Sequence, residues 1–581
     1  MKKLSVLLAL ILLLTSVSSL SVSFAKEIDT TYEQTLFDHS KLIEIDIQMD
    51  KEAWDNMITT ASSEEYSACN VMVNGVLYEN VAIRPKGNSS MASVTSRGSE
   101  RYSWRIKFDK YEKKRTCDGL DVLILNNGFN DPAEFKEALA YDMYAYLNAD
   151  ASLYNYAVVS VNGEYLGTYL ALEGVDKSFA KRVYGEDYGK LYKPELNSGA
   201  DRIDREGDAL EDDDADDGFG DSFGGSAGGQ AGGDGENAGA SSGAPAAGDA
   251  EGFGASSGNR AEGDTEGFGD SSGNRADGTQ GEMPAAPAQG EGGDDGFGAS
   301  AGGQANGFAM FGGDNGARSD AELARALNYV GDDLETYQSI WDSAKFKSDD
   351  EDHARVVEAL KHVSERDSIG DYVDIDNVLK YMAIQAFIFN ADGLTDAETH
   401  NYYLYEQDGK LNLIPWDMNE AFNVTGDGSD YVNFPIDTPF TVSDLSQRDF
   451  FMALLENEEY LAQYHEYLRI LSEEYALGGG LEEAYNRIRG QIDALVESDP
   501  TSFAAYSEYD TTAITLKLAI ELRAKSVLGQ LSGEIPSTRD GQEAEPDKLL
   551  DVSGEDLSGL TRGFGTGGNF TFAMPGMPGA K

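Results

Sequence analysis

Apolar and polar residues alternate along Leu42-Ile-Glu-Ile-Asp-Ile-Gln-Met49, the period of a half-buried strand. Asp50-Lys-Glu-Ala-Trp-Asp-Asn-Met57 follows as the start of a helix, with Asp50 placed to cap it. Strands are predicted over Ser67–Val73, Val76–Ile83, Trp104–Phe108 and Val122–Leu125. Val73-Asn-Gly-Val76 and Val161-Asn-Gly-Glu164 are Asn-Gly turns between apolar runs, the strongest short signal for a hairpin. Between them Asp131–Tyr144 predicts a helix, with Asp131 as its cap and Pro132 in its first turn. The period changes in the second half. Asp374–Phe389 and Thr511–Leu531 space their apolar residues as helices do. One pair of strands interrupts them, Tyr402–Tyr405 and Leu411–Trp416. Gln407-Asp-Gly-Lys410 joins the pair in a tight turn, because Asp-Gly tolerates positive φ.

That hairpin carries the candidate chemistry. It brings Asn401 and Asp417 to the same end of the ribbon, and Asp392 lies just upstream, after the apolar helix. Two oxygen donors meeting there suit a hard cation such as Mg²⁺. Protein kinases use the same order: a catalytic Asp, a metal-binding Asn a few residues on, then a second Asp for the metal. The plainer alternative makes Asp392 and Asp417 caps or turn residues. Asp396 competes with Asp392 for the role of base. No Ser-His nucleophile pair, Walker A pattern or zinc spacing is present, so hydrolase, P-loop and metalloprotease chemistry have little support.

Composition divides the chain into five parts: a signal peptide at 1–25, a β-rich lobe at 26–197, an insert at 198–316, a helical lobe at 317–533 and a flexible tail at 534–581. Met1-Lys-Lys-Leu, a short apolar run and Ser23-Phe-Ala25 form the signal, which implies export. No later stretch is apolar enough to anchor the chain in a membrane. The insert repeats Gly252-Phe-Gly-Ala-Ser-Ser-Gly-Asn-Arg260 as Gly267-Phe-Gly-Asp-Ser-Ser-Gly-Asn-Arg275. Its Gly, Ala, Ser and Asp residues cannot bury enough apolar surface to offset chain entropy, so disorder is expected. Its Ser256–Ser257 and Ser271–Ser272 pairs are candidate acceptors for autophosphorylation. A formal charge of −58 excludes nucleic acid as a default partner. It suits solubility, or attraction for a basic protein substrate. Cys69 and Cys117 are too few for a disulfide scaffold or a zinc cluster. They predict either one bridge or two buried thiols.

Arg84-Pro-Lys-Gly-Asn-Ser-Ser90, Ser103-Trp-Arg-Ile-Lys-Phe108, Leu125-Asn-Asn127, Val161–Tyr169, Leu191-Tyr-Lys193, His400-Asn-Tyr-Tyr403 and Ile414-Pro-Trp-Asp417 occur in one order. In this the chain resembles the spore coat protein H (CotH) kinase family, atypical secreted or spore-associated protein kinases. The resemblance implies an α+β, protein-kinase-like fold of two lobes, β-rich then helical, interrupted here by the acidic insert. It implies ATP with Mg²⁺ or Mn²⁺, and transfer to Ser/Thr of surface or spore-coat proteins by an exported enzyme. Asp392 would accept the acceptor's proton, and Asn401 and Asp417 would hold the metal. Lys86, with Asn88 and Ser89, or Lys107, would hold the phosphates. Glu137 would orient the lysine, Glu173 would border the nucleotide and Lys193 would reach the phosphates. By its own chemistry, His400 beside Asn401 would orient the loop through a hydrogen bond or serve as a base. The rival expectation is a kinase-like surface domain without catalysis, used in adhesion or coat assembly.

Overall fold

The computed structural model describes residues 28–194, 318–390, 392–395, 399–422 and 427–560, except the side chains of Asn88 and Ser89. All of them belong to one compact unit. The expected signal peptide and insert lie outside the described residues, as does Asp396. The structure is α+β, with a β-rich N-terminal region and a largely helical C-terminal one.

Seven strands close into a barrel: β1 (Ile43–Gln48), β2 (Ser67–Val73), β3 (Val76–Lys86), β4 (Ser103–Lys107), β5 (Val122–Asn126), β6 (Tyr154–Val161) and β7 (Glu164–Glu173). Their order is β1-β2-β3-β4-β5-β7-β6, and β1 pairs in parallel with β6 to complete the ring. Both Asn-Gly turns form the expected hairpins, β2–β3 and β6–β7. Asp50 caps α1 (Lys51–Thr59) by accepting from Glu52 N and Ala53 N.

Alternation sorts the barrel side chains into two cores. Ile45, Val71, Ile83, Trp104, Ile106, Leu123 and Leu125 fill the interior. Val122, Ile124, Tyr156, Leu170 and Leu172 point outward and join the core of the helical region. Each such aliphatic side chain contributes roughly 1.5–3 kcal/mol by leaving water. The same alternation sends Lys86, Arg84, Arg105, Lys107 and Asn126 to the outer face.

After the short α2 (Asn88–Ser96), α3 (Lys136–Tyr146) packs against both the barrel and the helical region. It starts later than the expected Asp131. Glu134 adopts a left-handed φ of 55°, which ends the turn that begins at Asp131 before the helix can start. Asp131 still serves the helix, since its Oδ2 accepts from Lys136 N at 2.7 Å. Gln385 Nε2 donates to Tyr144 Oη at 2.9 Å, tying α3 to the apolar helix that precedes Asp392.

The helical region contains α4 (Lys177–Tyr184), α5 (Asp350–Ser364), α6 (Ile375–Ile388), α7 (Glu458–Ile470), α8 (Gly480–Ser498) and α9 (Tyr506–Ser532). Here α4 precedes the insert in sequence. The second sheet has the order β10-β9-β8, built from β8 (Lys190–Tyr192), β9 (Tyr402–Gln407) and β10 (Lys410–Pro415). Thus a strand before the insert pairs with the hairpin after it. The expected Asp408-Gly409 turn has φ of 53° and 83°. Arg523 of α9 is fully buried and donates to the carbonyls of Ala386, Val432 and Phe434. Phe422 N donates to Ile388 O at 2.7 Å. These bonds fix the end of α6 against the chain that follows β10.

Part of the expected flexible tail is packed. Ile535, Val552, Leu557 and Leu560 are buried, and Gln542 donates to the carbonyls of Asn433 and Pro536. Isolated apolar anchors there carry no periodic signal. Cys69 and Cys117 are free, buried thiols, each pushed up to about 12 chiefly by burial. Among the described residues, no helix is long and apolar enough to cross a membrane.

Candidate active site

The β9–β10 register pairs Tyr402 with Pro415. Asn401 and Asp417 therefore flank the same open end of the hairpin, as expected. Both have left-handed backbones, with φ of 56° and 52°. Asn and Asp tolerate that conformation better than most residues, and such strain gathers at functional sites.

Asp392 reaches this mouth from the end of α6. Asn401 Nδ2 donates to Asp392 O at 2.8 Å and to Asp392 Oδ2 at 3.0 Å. His400 Nε2 lies 3.1 Å from Asp392 Oδ1. Both carboxylate oxygens are thus held in place. Burial raises the Asp392 pKa from its ordinary value, and His400 opposes the shift. Gly393 beside it is closely packed: a Cβ there would sit 3.0 Å from Asn390 Nδ2. Glu420, which accepts from Asn130 Nδ2 at 3.1 Å, adds a further negative charge close to Asp392.

The barrel supplies the opposite wall. Lys86 ends β3, and its Nζ donates to Asn126 Oδ1 at 2.8 Å. Asn126 Nδ2 donates in turn to Glu137 Oε2 on α3 at 2.7 Å. Lys86 Nζ also lies 5.5 Å from the centre of the Trp416 ring, next to Asp417 in sequence. Burial, and then the charge of Asp417, push Glu137 above the usual carboxylate range, against Asn126 and Lys86. The charge of Asp417 therefore acts on Glu137 from one side and on Asp392 from the other.

These residues fit a divalent cation. Asp417 is half-buried and has no ion pair or side-chain hydrogen bond among the described residues. Asn401 turns its amide nitrogen to Asp392, which leaves the amide oxygen as a donor. Among the described residues, Glu137 Oε1 and Tyr141 Oη are buried beside Asp417 without a hydrogen-bond partner. Among the described residues no three His, Cys, Asp or Glu side chains form a metal-binding group. One carboxylate and one amide instead match a cation that takes its other oxygens from phosphate and water.

The remaining expected site residues separate clearly. Gly87 turns into α2 with φ of 103°, and a Cβ would lie 2.5 Å from Ser90 Oγ. The backbones of Asn88 and Ser89 form the first turn of that helix, next to Lys86. Lys193 follows β8 and donates its backbone N–H to Ser343 O at 3.2 Å. Lys107 and Glu173 lie at the other end of the barrel sheet. Lys107 pairs with Val122, and Glu173 with Leu123, whereas Asn126 is the last residue of β5. Three or four residues of strand separate the two ends, roughly 10–13 Å. Lys107 Nζ sits 3.5 Å from Asp176 and 3.8 Å from Asp109. Glu173 is fully buried, accepting from Tyr32 Oη at 2.6 Å and from Arg182.

A family model described as CotH kinase protein matches residues 83–222 and 314–527, more than half of the 581-residue chain. The chain belongs to the CotH kinase family. No curated protein matches it. In this CotH family member the first matched stretch carries Lys86, Asn126 and Glu137, and the second carries Asp392, Asn401 and Asp417. Residues 223–313, inside the expected insert, are unmatched. The strands β1 and β2 precede the match, so two strands of the barrel lie outside it. Sequence reasoning did not single out Asn126, Trp416, Asn130 or Glu420. Asn126 and Trp416 stood inside quoted motifs, but nothing in their spacing showed that they reach Lys86.

Proposed function

We propose that this CotH family member is an exported, atypical protein kinase with a two-lobed kinase-like architecture. It transfers the terminal phosphoryl group of ATP to Ser/Thr hydroxyls of proteins, including basic ones at a cell or spore surface. The observation that carries the reading is convergence. It is supported by Lys86 of the barrel lying over Trp416, the neighbour of Asp417, while Asn401 bonds to Asp392 at the same end of the hairpin.

Each group has a role that its surroundings support. Lys86 holds phosphate oxygens, with α2 starting beside it. Asn401 and Asp417 hold Mg²⁺ or Mn²⁺, which when bound neutralises charge on the phosphates. Asp392, fixed by Asn401 and His400, orients the acceptor hydroxyl. The acceptor oxygen bonds to the γ-phosphorus as the bond to the β,γ-bridging oxygen breaks. The hydroxyl proton passes to Asp392, and ADP leaves. The serine pairs of the insert are acceptors tethered to the same chain.

The decisive experiment incubates the full-length protein with labelled ATP and Mg²⁺ or Mn²⁺, alone and with Ser-containing basic peptides. Asp417→Asn should lose metal-dependent nucleotide binding and transfer together. Asp392→Ala should lose transfer by about 10²–10⁴-fold and keep nucleotide binding, since a base acts on the acceptor. Wild-type protein that binds no nucleotide would replace this reading with a surface binding or coat-assembly role.

A further inference from the structure

We propose that Asn126 is a positioning residue for nucleotide phosphates, holding the Lys86 ammonium group toward the mouth while keeping it apart from Glu137. This assignment rests on the kinase reading above. Lys86 and Asn126 end β3 and β5, with β4 between them. Neighbouring strands lie about 4.8 Å apart, so the gap is about 9.6 Å, and the extended lysine and the Asn126 side chain bridge it together. Its Nζ meets Asn126 Oδ1 at 2.8 Å, and Asn126 Nδ2 meets Glu137 Oε2 at 2.7 Å. The chain is therefore cation, amide, carboxylate, with no direct contact between its charged ends.

The chemistry explains why the middle member is an amide. A primary amide accepts through oxygen and donates through nitrogen at once. Aspartate would accept from Lys86 but would set a second carboxylate against Glu137. Leucine would serve neither neighbour. A direct Lys86–Glu137 ion pair would satisfy the ammonium with a full negative charge. The amide orients it through a dipole and leaves its charge for a phosphate. Asn126 is 8% exposed and Glu137 6%, so water replaces these bonds poorly.

The test compares full-length wild type with Asn126→Leu, Asn126→Asp and Asn126→Gln. Three readouts are taken: the thermal midpoint, its shift by ATP with Mg²⁺, and steady-state transfer. Leu and Asp should raise the KM for ATP about tenfold or more and remove most of the ATP-induced shift. The midpoint without nucleotide should also fall, since buried Glu137 loses its partner, so the ATP-induced shift is read relative to each variant's own midpoint. Gln keeps both amide functions and should restore KM to within about threefold. A normal KM and a normal ATP shift in Asn126→Leu would overturn the assignment and leave the kinase reading intact. So would a Gln variant as impaired as Leu, since that marks shape and not the amide. If Leu fails to fold, the contrast between Asp and Gln decides. Wild type with neither shift nor transfer would overturn the kinase reading, and this assignment with it.

Discussion

The outer face of the barrel carries two sets of lysine and acids, one at each end of β4 and β5, and they differ in how their charges are met. At the far end Lys107 lies among Asp109 and Asp176, and Arg105 contacts Asp176 at 3.0 Å. Nearby, the inward Glu173 is met by Tyr32, Arg182 and Leu153 N. At the near end Lys86 has an amide for a partner, Glu137 keeps an unbonded oxygen, and Asp417 has no cation among the described residues. A strand lysine near a glutamate is thus no sign of catalysis by itself. The informative difference is the partner of each lysine: carboxylates meet Lys107 directly, whereas an amide meets Lys86 and leaves its charge for a ligand to answer.

The sharpest way to break this comparison is to exchange each lysine for methionine. Lys86→Met should lower kcat/KM for ATP about 10³-fold, in line with removing a donor aimed at developing charge. Lys107→Met should stay within about threefold per folded molecule, at a cost of about 1–3 kcal/mol in stability for the aspartates it leaves. Equal losses from both would erase the distinction.

A second test removes a counter-charge at the far end. Arg182→Leu leaves the fully buried Glu173 without its cation and should cost about 3 kcal/mol in chemical denaturation. Transfer per folded molecule should be unchanged. A large loss of transfer with normal stability would give this end a role in the reaction.

The smallest effect concerns the link between the regions. Arg101 of the barrel region is shared by Glu134, at 3.4 Å, and Asp499, at the end of α8, at 2.9 Å. Burial raises Glu134 from 4.5 to about 7; Arg101 opposes this, while Asp131 and Asp499 add to it. The folded state thus holds the proton more tightly than the unfolded one. The stabilising contribution is complete below about pH 4.5 and is lost as pH rises through about 7. Glu134→Gln should therefore gain stability relative to wild type between pH 5 and pH 8, by on the order of 2 kcal/mol. A constant difference between the two proteins across that range would show that Glu134 does not titrate there.

Alternation, Asn-Gly and Asp-Gly turns and the apolar period of α6 determined most of the strands and the site hairpin. They did so because these signals are local: side-chain direction follows from a period of two, and positive φ from one or two residues. The same locality placed Asn401 and Asp417 at one end of a ribbon. Where the left-handed Glu134 intervened, local reading began α3 too early, and the isolated anchors beyond Ile535 gave it nothing to detect. Tertiary structure alone decided which lysine shares the mouth with Asp417. Lys86 and Lys107 both face outward from adjacent strands, and only strand order, closure and register put one beside Asn126, Glu137 and Trp416 and the other beside Asp176. That choice depends on contacts between residues far apart in the chain, where no local pattern of hydrophobic and polar positions carries the information.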